Sequence, residues 1–417
     1  MARPDRLDVF FNDALVGAIH DTSPLAFEYS PTWLASAGAM AVAAIPLQTG
    51  RNGAPPVQAC FENLLPEGEL RSYIAERKKA STLFSLLYEV AGDTAGGFVI
   101  LPGGQVPKAP AYEKTSWSSL ADLLGKKSAS AIDIRGAHAR ISLAGAQDKA
   151  SLAIFADGAP RIPKGTAPST HILKPDIRRL SKVWHSAANE AIMMLTAAKC
   201  GLPTAEAFYE PHTRSCVVRR FDRVVREDAS LARLIQYDLC QLAGTMSEKK
   251  YEKEGGPGIA ACAALIREYS SQPAADLRNL VGWVLFNLYI GNNDSHAKNL
   301  SLLHHPGAGF RLAPFYDLMC TRLYPNLSPE FAFSIGGETL PGSIKKAHLT
   351  AMAEQLGMRP QFIFRQAEEM AGKIPAALEE TMATVLPSLS LGAKVLAGRL
   401  KDFVLSTTKK TAARMVK

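Results

Sequence analysis

The fold is most constrained by an abrupt change of character at residue 291. Val281–Ile290 (VGWVLFNLYI) is the most hydrophobic run of the chain, and Gly291–Asn299 (GNNDSHAKN) follows it without a spacer. At ten residues the run falls well short of the ~20 needed to span a bilayer, so it reads as a buried helix. A polar loop leaving such a helix is held by a rigid element. In nine residues it gathers Asn292, Asn293, Asp294, Ser295, His296, Lys298 and Asn299. An Asn-Asn-Asp run alone is more often a turn with Asx caps; the density of polar side chains here argues for chemistry. Asp294 and Asn299 stand five apart, the D-x-x-x-x-N spacing of the protein-kinase catalytic loop, where Asp accepts a hydroxyl proton and Asn holds Mg²⁺.

Three further segments fit that chemistry. Ala313–Cys320 (APFYDLMC) supplies a second acid, Asp317, on an apolar stretch expected to be a strand or its end. Leu300–Leu303 and Gly309–Leu312 form a predicted hairpin between the two acids, which would bring Asp294 and Asp317 to one cleft. Hard oxygen ligands of this kind suit Mg²⁺. Upstream, Lys174 in HILKP closes a predicted strand and would meet nucleotide phosphates, with Glu190 of the next helix its candidate carboxylate partner. Ser142–Lys149 (SLAGAQDK) is a small-residue loop between strand-like segments, open enough for backbone N–H groups to approach phosphate oxygens. Taken singly, each has a plainer reading: a capping Asp, a solvated Lys, a hairpin turn. Their order, phosphate loop, Lys, catalytic Asp, metal Asn, metal Asp, is that of a kinase.

Around these motifs the chain reads as several parts. Leu7–Ile19 has two alternating runs about Asn12-Asp13, a hairpin signal. Helical spacing over Phe61–Glu76 and Leu83–Val90, then Phe98–Leu101, makes residues 1–101 a small mixed α/β domain. Residues 102–138 are a linker and lead-in, with three Pro and two Gly over 102–115. Residues 139–235 are β-rich, with Ala139–Leu143, Ser151–Phe155, His171–Leu173 and Cys216–Phe221 as strands and Glu190–Lys199 as a helix. Residues 236–387 are helical, with predicted helices over Tyr237–Ala243, Ile259–Glu268, Leu277–Ile290, Ala347–Leu356, Pro360–Gly372 and Ile374–Leu386. The fold class is therefore α+β: a two-lobed, protein-kinase-like arrangement behind a small N-terminal domain.

These residues resemble the HipA family of serine/threonine kinase toxins. ISLAGAQDK, HILKP, VVRRFDR, GNNDSHAKN and FYDL stand in that family's order, and FENLLPEGELRSYIAER and GDTAGG resemble its N-terminal domain. The resemblance covers roughly residues 5–385. It implies Asp294 as catalytic base, Asn299 and Asp317 as Mg²⁺ ligands, and Lys174 on ATP phosphate. It implies an ATP phosphate loop over Ala144, Gly145, Ala146, Gln147, Asp148 and Lys149, with His296 and Tyr316 in nucleotide-contacting motifs. The hinge segment QYDL, with Tyr237, Asp238 and Leu239, would bind adenine through its backbone; Tyr237 stands where a familiar member has Glu. Ser142 matches the serine whose autophosphorylation ejects the phosphate loop and silences the enzyme. The resemblance further implies a protein substrate, an aminoacyl-tRNA synthetase, whose phosphorylation stalls translation and produces growth arrest or persistence. It implies a small helix-turn-helix antitoxin, HipB, that neutralises the toxin and binds operator DNA.

Two other functions use the same residues. Asp294-x-His296-x-x-Asn299 also resembles the loop of aminoglycoside and choline phosphotransferases, which act on small molecules; a catalytically silent repressor partner is the non-enzyme reading. The N-terminal unit and the SLAGAQDK loop argue against the first, and the intact set Lys174, Asp294, Asn299 and Asp317 against the second.

Composition adds the compartment and one question. Six scattered cysteines without C-x-x-C suit a reducing cytosol, and MARPDRLDV lacks a signal peptide's apolar core, so the expectation is a cytoplasmic protein with no membrane partner. Of the formal charge of +8, residues 388–417 carry +6, with seven cations against Asp402. The basicity is thus C-terminal. Leu391, Val395, Leu396, Leu400, Phe403 and Val404 predict a docked amphipathic helix over Ser390–Leu405, followed by a mobile tail. Its cations would form a solvated face or touch operator DNA beside the antitoxin.

Overall fold

A computed structural model describes residues 4–90, 92–125, 147–178, 180–228 and 230–416. The predicted strand at Ala139–Leu143, and with it Ser142 and Ala144–Ala146, lies outside the described residues. In chain order the elements begin with β1 (Arg6–Phe11), β2 (Ala14–His20), β3 (Ala26–Tyr29), α1 (Pro31–Leu34), β4 (Arg51–Asn52), α2 (Pro56–Glu62), α3 (Gly68–Lys78), α4 (Leu83–Val90) and β5 (Phe98–Pro102). Next come β6 (Ala111–Lys114), α5 (Trp117–Gly125), β7 (Ala150–Ile154), β8 (Pro160–Lys164), β9 (His171–Lys174), α6 (Ser186–Lys199), β10 (Ala207–Glu210) and β11 (Ser215–Arg219). Then follow β12 (Arg223–Val225), β13 (Leu231–Arg233), β14 (Gln236–Asp238), α7 (Leu239–Leu242), α8 (Ile259–Tyr269) and α9 (Pro273–Ile290). The last are β15 (Ser301–His305), β16 (Gly309–Leu312), α10 (Lys346–Gln355), α11 (Pro360–Val385) and α12 (Leu391–Val416).

These elements sort into two units, neither contiguous in sequence. One takes Met1–Leu173, Arg220–Lys249 and Leu303–His305; the other takes Lys174–Arg219, Lys250–Leu302 and Pro306–Lys417.

In the first unit, β4-β3-β2-β1-β5 form one sheet. The predicted hairpin is present, with Phe11 opposite Ala14 and Asn12 left-handed at φ 51°. The Asn12 side chain reaches β13, accepting from the Arg233 N–H at 2.9 Å and donating to the Arg233 carbonyl at 3.2 Å. The single helix expected over Phe61–Glu76 is two, α2 and α3, because Pro66 interrupts the ladder between them. Part of the expected linker is strand: β6 pairs antiparallel with β8, Tyr112 opposite Pro163. Its proline-rich flanks hide that, but Tyr112 packs edge-on against Phe155 at 5.1 Å and donates to the Pro168 carbonyl.

The polar heart of this unit is Asp93, fully buried in the GDTAGG motif. Its carboxylate accepts from the Ser169 N–H at 3.1 Å and hydroxyl at 2.8 Å, from Arg223 at 2.8 Å and from Arg233 at 3.1 Å. Arg220 forks onto Asp222 at 2.9 and 2.6 Å and donates to the Thr94 carbonyl. Three guanidiniums thus face two carboxylates. Burial alone would raise the Asp222 carboxyl, but Arg220 and Arg223 outweigh it and hold it below its ordinary value. The two glycines that follow are left-handed, and a Cβ on Gly96 or Gly97 would stand 2.6 Å from the carbonyl of Gln236 or Leu234. Only glycine lets the motif lie this close to the 234–236 backbone.

The second unit is built on α9, in which every residue from Leu280 to Ile290 is buried, as the apolar run predicts. Trp283 stacks on Phe315 at 5.9 Å and meets Phe333 edge-on at 6.1 Å. Asp276 in its first turn accepts from Ser270 at 2.6 Å, the Leu312 N–H at 2.9 Å and Arg311 at 2.8 Å, tying β16 to the helix. Two helices expected on either side of Lys373 are one, α11, with Pro375 inside it. Its apolar stripe, Ile363, Ala367, Met370, Ile374, Ala377, Leu378 and Met382, runs through the proline without a break, and packing overrides the lost hydrogen bond. The C-terminal helix is also longer than expected. The segment read as a mobile tail continues α12 to Val416, with Thr408, Thr411 and Met415 buried, whereas Leu391 and Val395 are exposed. No helix among the described residues is long and apolar enough to cross a membrane.

Removing one anion from the buried cluster leaves cations without counterions. Asp93→Ala is expected to cost about 3–5 kcal/mol, read as a lowered urea midpoint for the transition that includes the first unit.

Candidate active site

Lys174 ends β9 and is 5 % exposed. Its ammonium lies 2.5 Å from Glu190 Oε1 and 2.7 Å from Asp317 Oδ1. Burial by itself would depress this lysine, but the charges of Asp317 and then Glu190 outweigh it and hold Lys174 above its ordinary value. The amine is therefore a permanent cation. Glu190 follows Asn189 on α6, and Asn189 clamps the chain just after Asp317. It donates to the Cys320 carbonyl at 3.0 Å and to the Tyr324 hydroxyl at 3.1 Å, and it accepts from the Cys320 N–H at 2.9 Å. Asp317 is not on a strand or strand end as expected. It sits in irregular chain with φ 60°, a left-handed conformation that Asp tolerates better than most residues and that costs roughly 1–2 kcal/mol. Such strain, beside the ion pair with Lys174 and the Asn189 clamp on Cys320, marks a constrained position.

The second cluster is the 291–299 loop. Gly291 ends α9 at φ 75°, and a Cβ there would stand 3.0 Å from Phe403, so the turn needs glycine. Asn292 donates to Asn287 Oδ1 at 2.8 Å, and its own Oδ1 accepts from the Asp294 N–H at 3.2 Å. Asn293 donates to the Ser328 carbonyl, and its N–H donates to Thr321. The Asx turns expected of Asn-Asn-Asp are thus present, and they serve to present Asp294, whose side chain is 53 % exposed. The Asn299 amide donates to the Asp294 carbonyl at 3.0 Å, which turns its oxygen the other way. The Tyr316 hydroxyl donates to the Lys298 carbonyl at 3.1 Å and lies 2.7 Å from Ser301 Oγ.

His296 is buried, and its Nδ1 has no hydrogen-bond partner among the described residues; Asn293 Oδ1 is in the same condition. Buried polar atoms left over in this way suit a site that takes a polar ligand. Burial, and after it the charge of Lys250, pushes His296 well below its ordinary value, so the ring is neutral at physiological pH.

Sequence reasoning did not single out Asn189, and the signal was there: Asn-Glu is the one strongly polar pair inside the otherwise apolar and small α6. Nor did it find Tyr251, whose hydroxyl donates to Asp294 Oδ1 and whose ring meets His296 edge-on at 5.0 Å. The structure brings Lys174, Glu190 and Asp317 together, and it brings Asp294, His296 and Asn299 together. Gln147, Asp148 and Lys149, and the hinge residues Tyr237, Asp238 and Leu239, belong to the first unit. There the hinge side chains have structural duties. Tyr237 is buried, stacks on Phe98 and donates to the Ala41 carbonyl at 3.0 Å, while Asp238 caps α7 through a reciprocal box with Gln241.

A metal would find few protein ligands here. Among the described residues no three His, Cys, Asp or Glu side chains gather to hold an ion. One carboxylate and one amide oxygen, Asp317 and Asn299, nevertheless fit Mg²⁺, which is commonly held by one or two carboxylates and otherwise by phosphate oxygens and water.

Residues 141–378 match the family model described as the HipA-like C-terminal domain, and residues 7–101 match the HipA N-terminal domain. The chain belongs to the HipA family. Over 96 % of its length it is 31 % identical to Y4mE of Sinorhizobium fredii, covering 99 % of that protein. It is 28 % identical to the serine/threonine-protein kinase toxin HipA of Shewanella oneidensis, over 91 % of this chain and 90 % of that one. A structure of the Shewanella oneidensis toxin–antitoxin system, HipA with HipB and operator DNA, superposes with a TM-score of 0.83 at 25 % identity, covering 97 % of each chain. The α+β, kinase-like fold expected from the motifs is the fold of this HipA-family chain.

The neutral His296 has a consequence for acid stability. Its folded pKa lies below that of the unfolded chain, so both states are neutral above about pH 6.5 and the residue contributes no pH dependence there. As the pH falls through about 6.5 the unfolded chain takes up a proton that the folded one refuses, and stability drops. His296→Asn is expected to flatten the urea-measured stability profile below about pH 6.5 by up to one proton, about 1.36 kcal/mol per pH unit.

Proposed function

We propose that this chain is an ATP-dependent serine/threonine-protein kinase acting as the toxin of a type II toxin–antitoxin pair. The observation that carries the proposal is the buried Lys174 ammonium between Glu190 and Asp317, at 2.5 and 2.7 Å, in one unit with the Asp294–Asn299 loop. A strand-end lysine ion-paired to a helix glutamate, with a loop aspartate beside it, is the set of groups that kinases use to position phosphate. In this reading Lys174 orients ATP phosphate. Asp294 accepts the proton of a protein Ser or Thr hydroxyl as its oxygen attacks the γ-phosphorus, and ADP leaves in line. Asn299 and Asp317 would hold Mg²⁺, which when bound supplies charge neutralisation on the phosphate oxygens. Ala144–Lys149 is assigned to ATP phosphate and the 236–239 backbone to adenine, with His296 and Tyr316 beside the nucleotide.

The family resemblance supports an aminoacyl-tRNA synthetase as substrate, with translation arrest as the outcome. The Shewanella oneidensis complex supports a HipB-like antitoxin as partner, with operator DNA engaged through it. The N-terminal domain over residues 7–101 favours this reading over a small-molecule phosphotransferase.

Asp294→Asn is expected to lower phosphoryl transfer by about 10²–10⁴-fold, the usual worth of a general base. Because the side chain is half exposed, the melting temperature should hold; wild-type turnover in the purified variant would refute the assignment. Incubation with Mg²⁺–ATP is expected to add one phosphate at Ser142, found by mass spectrometry and missing from Ser142→Ala. A phosphoserine beside ATP phosphates would repel them, which accounts for silencing.

A further inference from the structure

The contact between Tyr251 and Asp294 has no part in that mechanism as stated. The Tyr251 hydroxyl donates to Asp294 Oδ1, an oxygen of the carboxylate that is to receive the acceptor hydroxyl's proton. An O–H aimed at a general base is the hydrogen bond that a Ser or Thr acceptor would make on arrival, and one carboxylate oxygen with a phenol on it offers the newcomer a competitor rather than an open acceptor. The tyrosine is held there from both sides. Its ring meets His296 edge-on at 5.0 Å and an interplanar angle of 84°. Its carbonyl accepts from the N–H groups of Glu254 and Gly256, each at 3.0 Å, which curls the 251–256 segment into a tight turn.

That turn is also fastened to the chain that follows Asp317. Glu252 accepts from the Ser334 N–H at 2.7 Å, and Lys253 pairs with Glu330 at 3.2 Å. A Cβ on Gly258 would stand 2.6 Å from Glu252 Oε1, so the carboxylate is seated closely against the chain as well. Asn293, next to Asp294, donates to the carbonyl of Ser328 in the same downstream stretch. The base, the tyrosine upon it and the 328–334 segment therefore form one connected polar system.

We propose that Tyr251 is a placeholder in the acceptor position: its hydroxyl occupies the base until a substrate hydroxyl displaces it, and meanwhile keeps water from being activated there. The inference rests on the reading of Asp294 as base. It differs from a positioning role, in which losing the hydroxyl would disorder Asp294 and slow every transfer.

The test uses water as acceptor, so no protein substrate is needed. In that reaction the water oxygen forms a bond to the γ-phosphorus, and the bond to the bridging oxygen breaks with its electron pair leaving on ADP. The water proton passes to Asp294 and on to solvent. Multiple-turnover phosphate release from Mg²⁺–ATP is measured for the full chain, Tyr251→Phe, Asp294→Asn and the double variant. Tyr251→Phe keeps the ring on His296 and is expected to raise release on the order of tenfold, the factor set by one hydrogen bond to a charged acceptor. The double variant should fall to the level of Asp294→Asn. Tyr251→Leu, which also removes the ring, should act in the same direction if Tyr251→Phe were to fold poorly. Unchanged or reduced release in the folded Tyr251 variants overturns the placeholder and leaves the base intact. Wild-type release by Asp294→Asn overturns the base itself.

Discussion

The buried ion pairs of Lys174 are the interaction on which the polar arrangement of the second unit depends. An ammonium this deeply buried is tolerated only when opposite charge and hydrogen bonds replace water, and here two carboxylates do so from different parts of the chain. Glu190 is itself 2 % exposed and needs the lysine as much as the lysine needs it. Neutralising either partner would strand the other. The pair therefore fixes Lys174 against α6, and Asp317, left-handed at φ 60°, joins from a loop that Asn189, one residue before Glu190, clamps at Cys320. Two adjacent polar residues on one helix thus set the positions of both the lysine and the second acid. That explains how an irregular loop can hold the Asp317 carboxylate in place without a strand beneath it.

The first unit answers a different constraint with similar physics. Asp93 comes from the segment that resembles the HipA N-terminal domain, while Arg220, Arg223 and Arg233 come from the β-rich stretch more than a hundred residues later. Three buried guanidiniums cannot be satisfied by two carboxylates alone; the carbonyls of Thr94, Thr166 and Asp222 and the Ser169 hydroxyl take further donors, while Arg223 Nε has no partner among the described residues. The glycines of GDTAGG then bring their backbone within reach of residues 234–236. The motif is a packing device whose charge and lack of side chain serve one purpose.

What could be read from the sequence followed from local density. The buried α9, the Asx-rich loop after it, the Asn12 hairpin and the strand ending in Lys174 each carry their signal within a few residues. Pairings across long separations did not. Tyr251 lies 43 residues before Asp294 in a polar, lysine-rich stretch with no periodicity, and nothing local marks it as a partner of the loop. Pro375 and Gly372 read as a helix end because local propensity disfavours both, yet the apolar stripe on α11 continues and tertiary packing wins. The expected single helix over Phe61–Glu76 failed for the opposite reason: apolar spacing persisted where Pro66 broke the backbone.

The basic C-terminus shows how such an override changes a functional argument. Read as a flexible tail, its lysines would be a tether free to meet any phosphate surface. In the structure Lys409 and Lys410 ride on α12, whose far end is packed through Thr408, Thr411 and Met415, with the Tyr289 hydroxyl of α9 3.5 Å from Met415 Sδ. Lys401 is paired with Glu379, and Arg414 donates to the Pro341 carbonyl at 3.0 Å. Part of the charge is thus engaged in contacts within the chain, the Lys401–Glu379 pair at its surface, and the rest is presented at fixed spacing. A rigid basic helix can match only a surface of complementary geometry, so net charge alone does not decide what it meets.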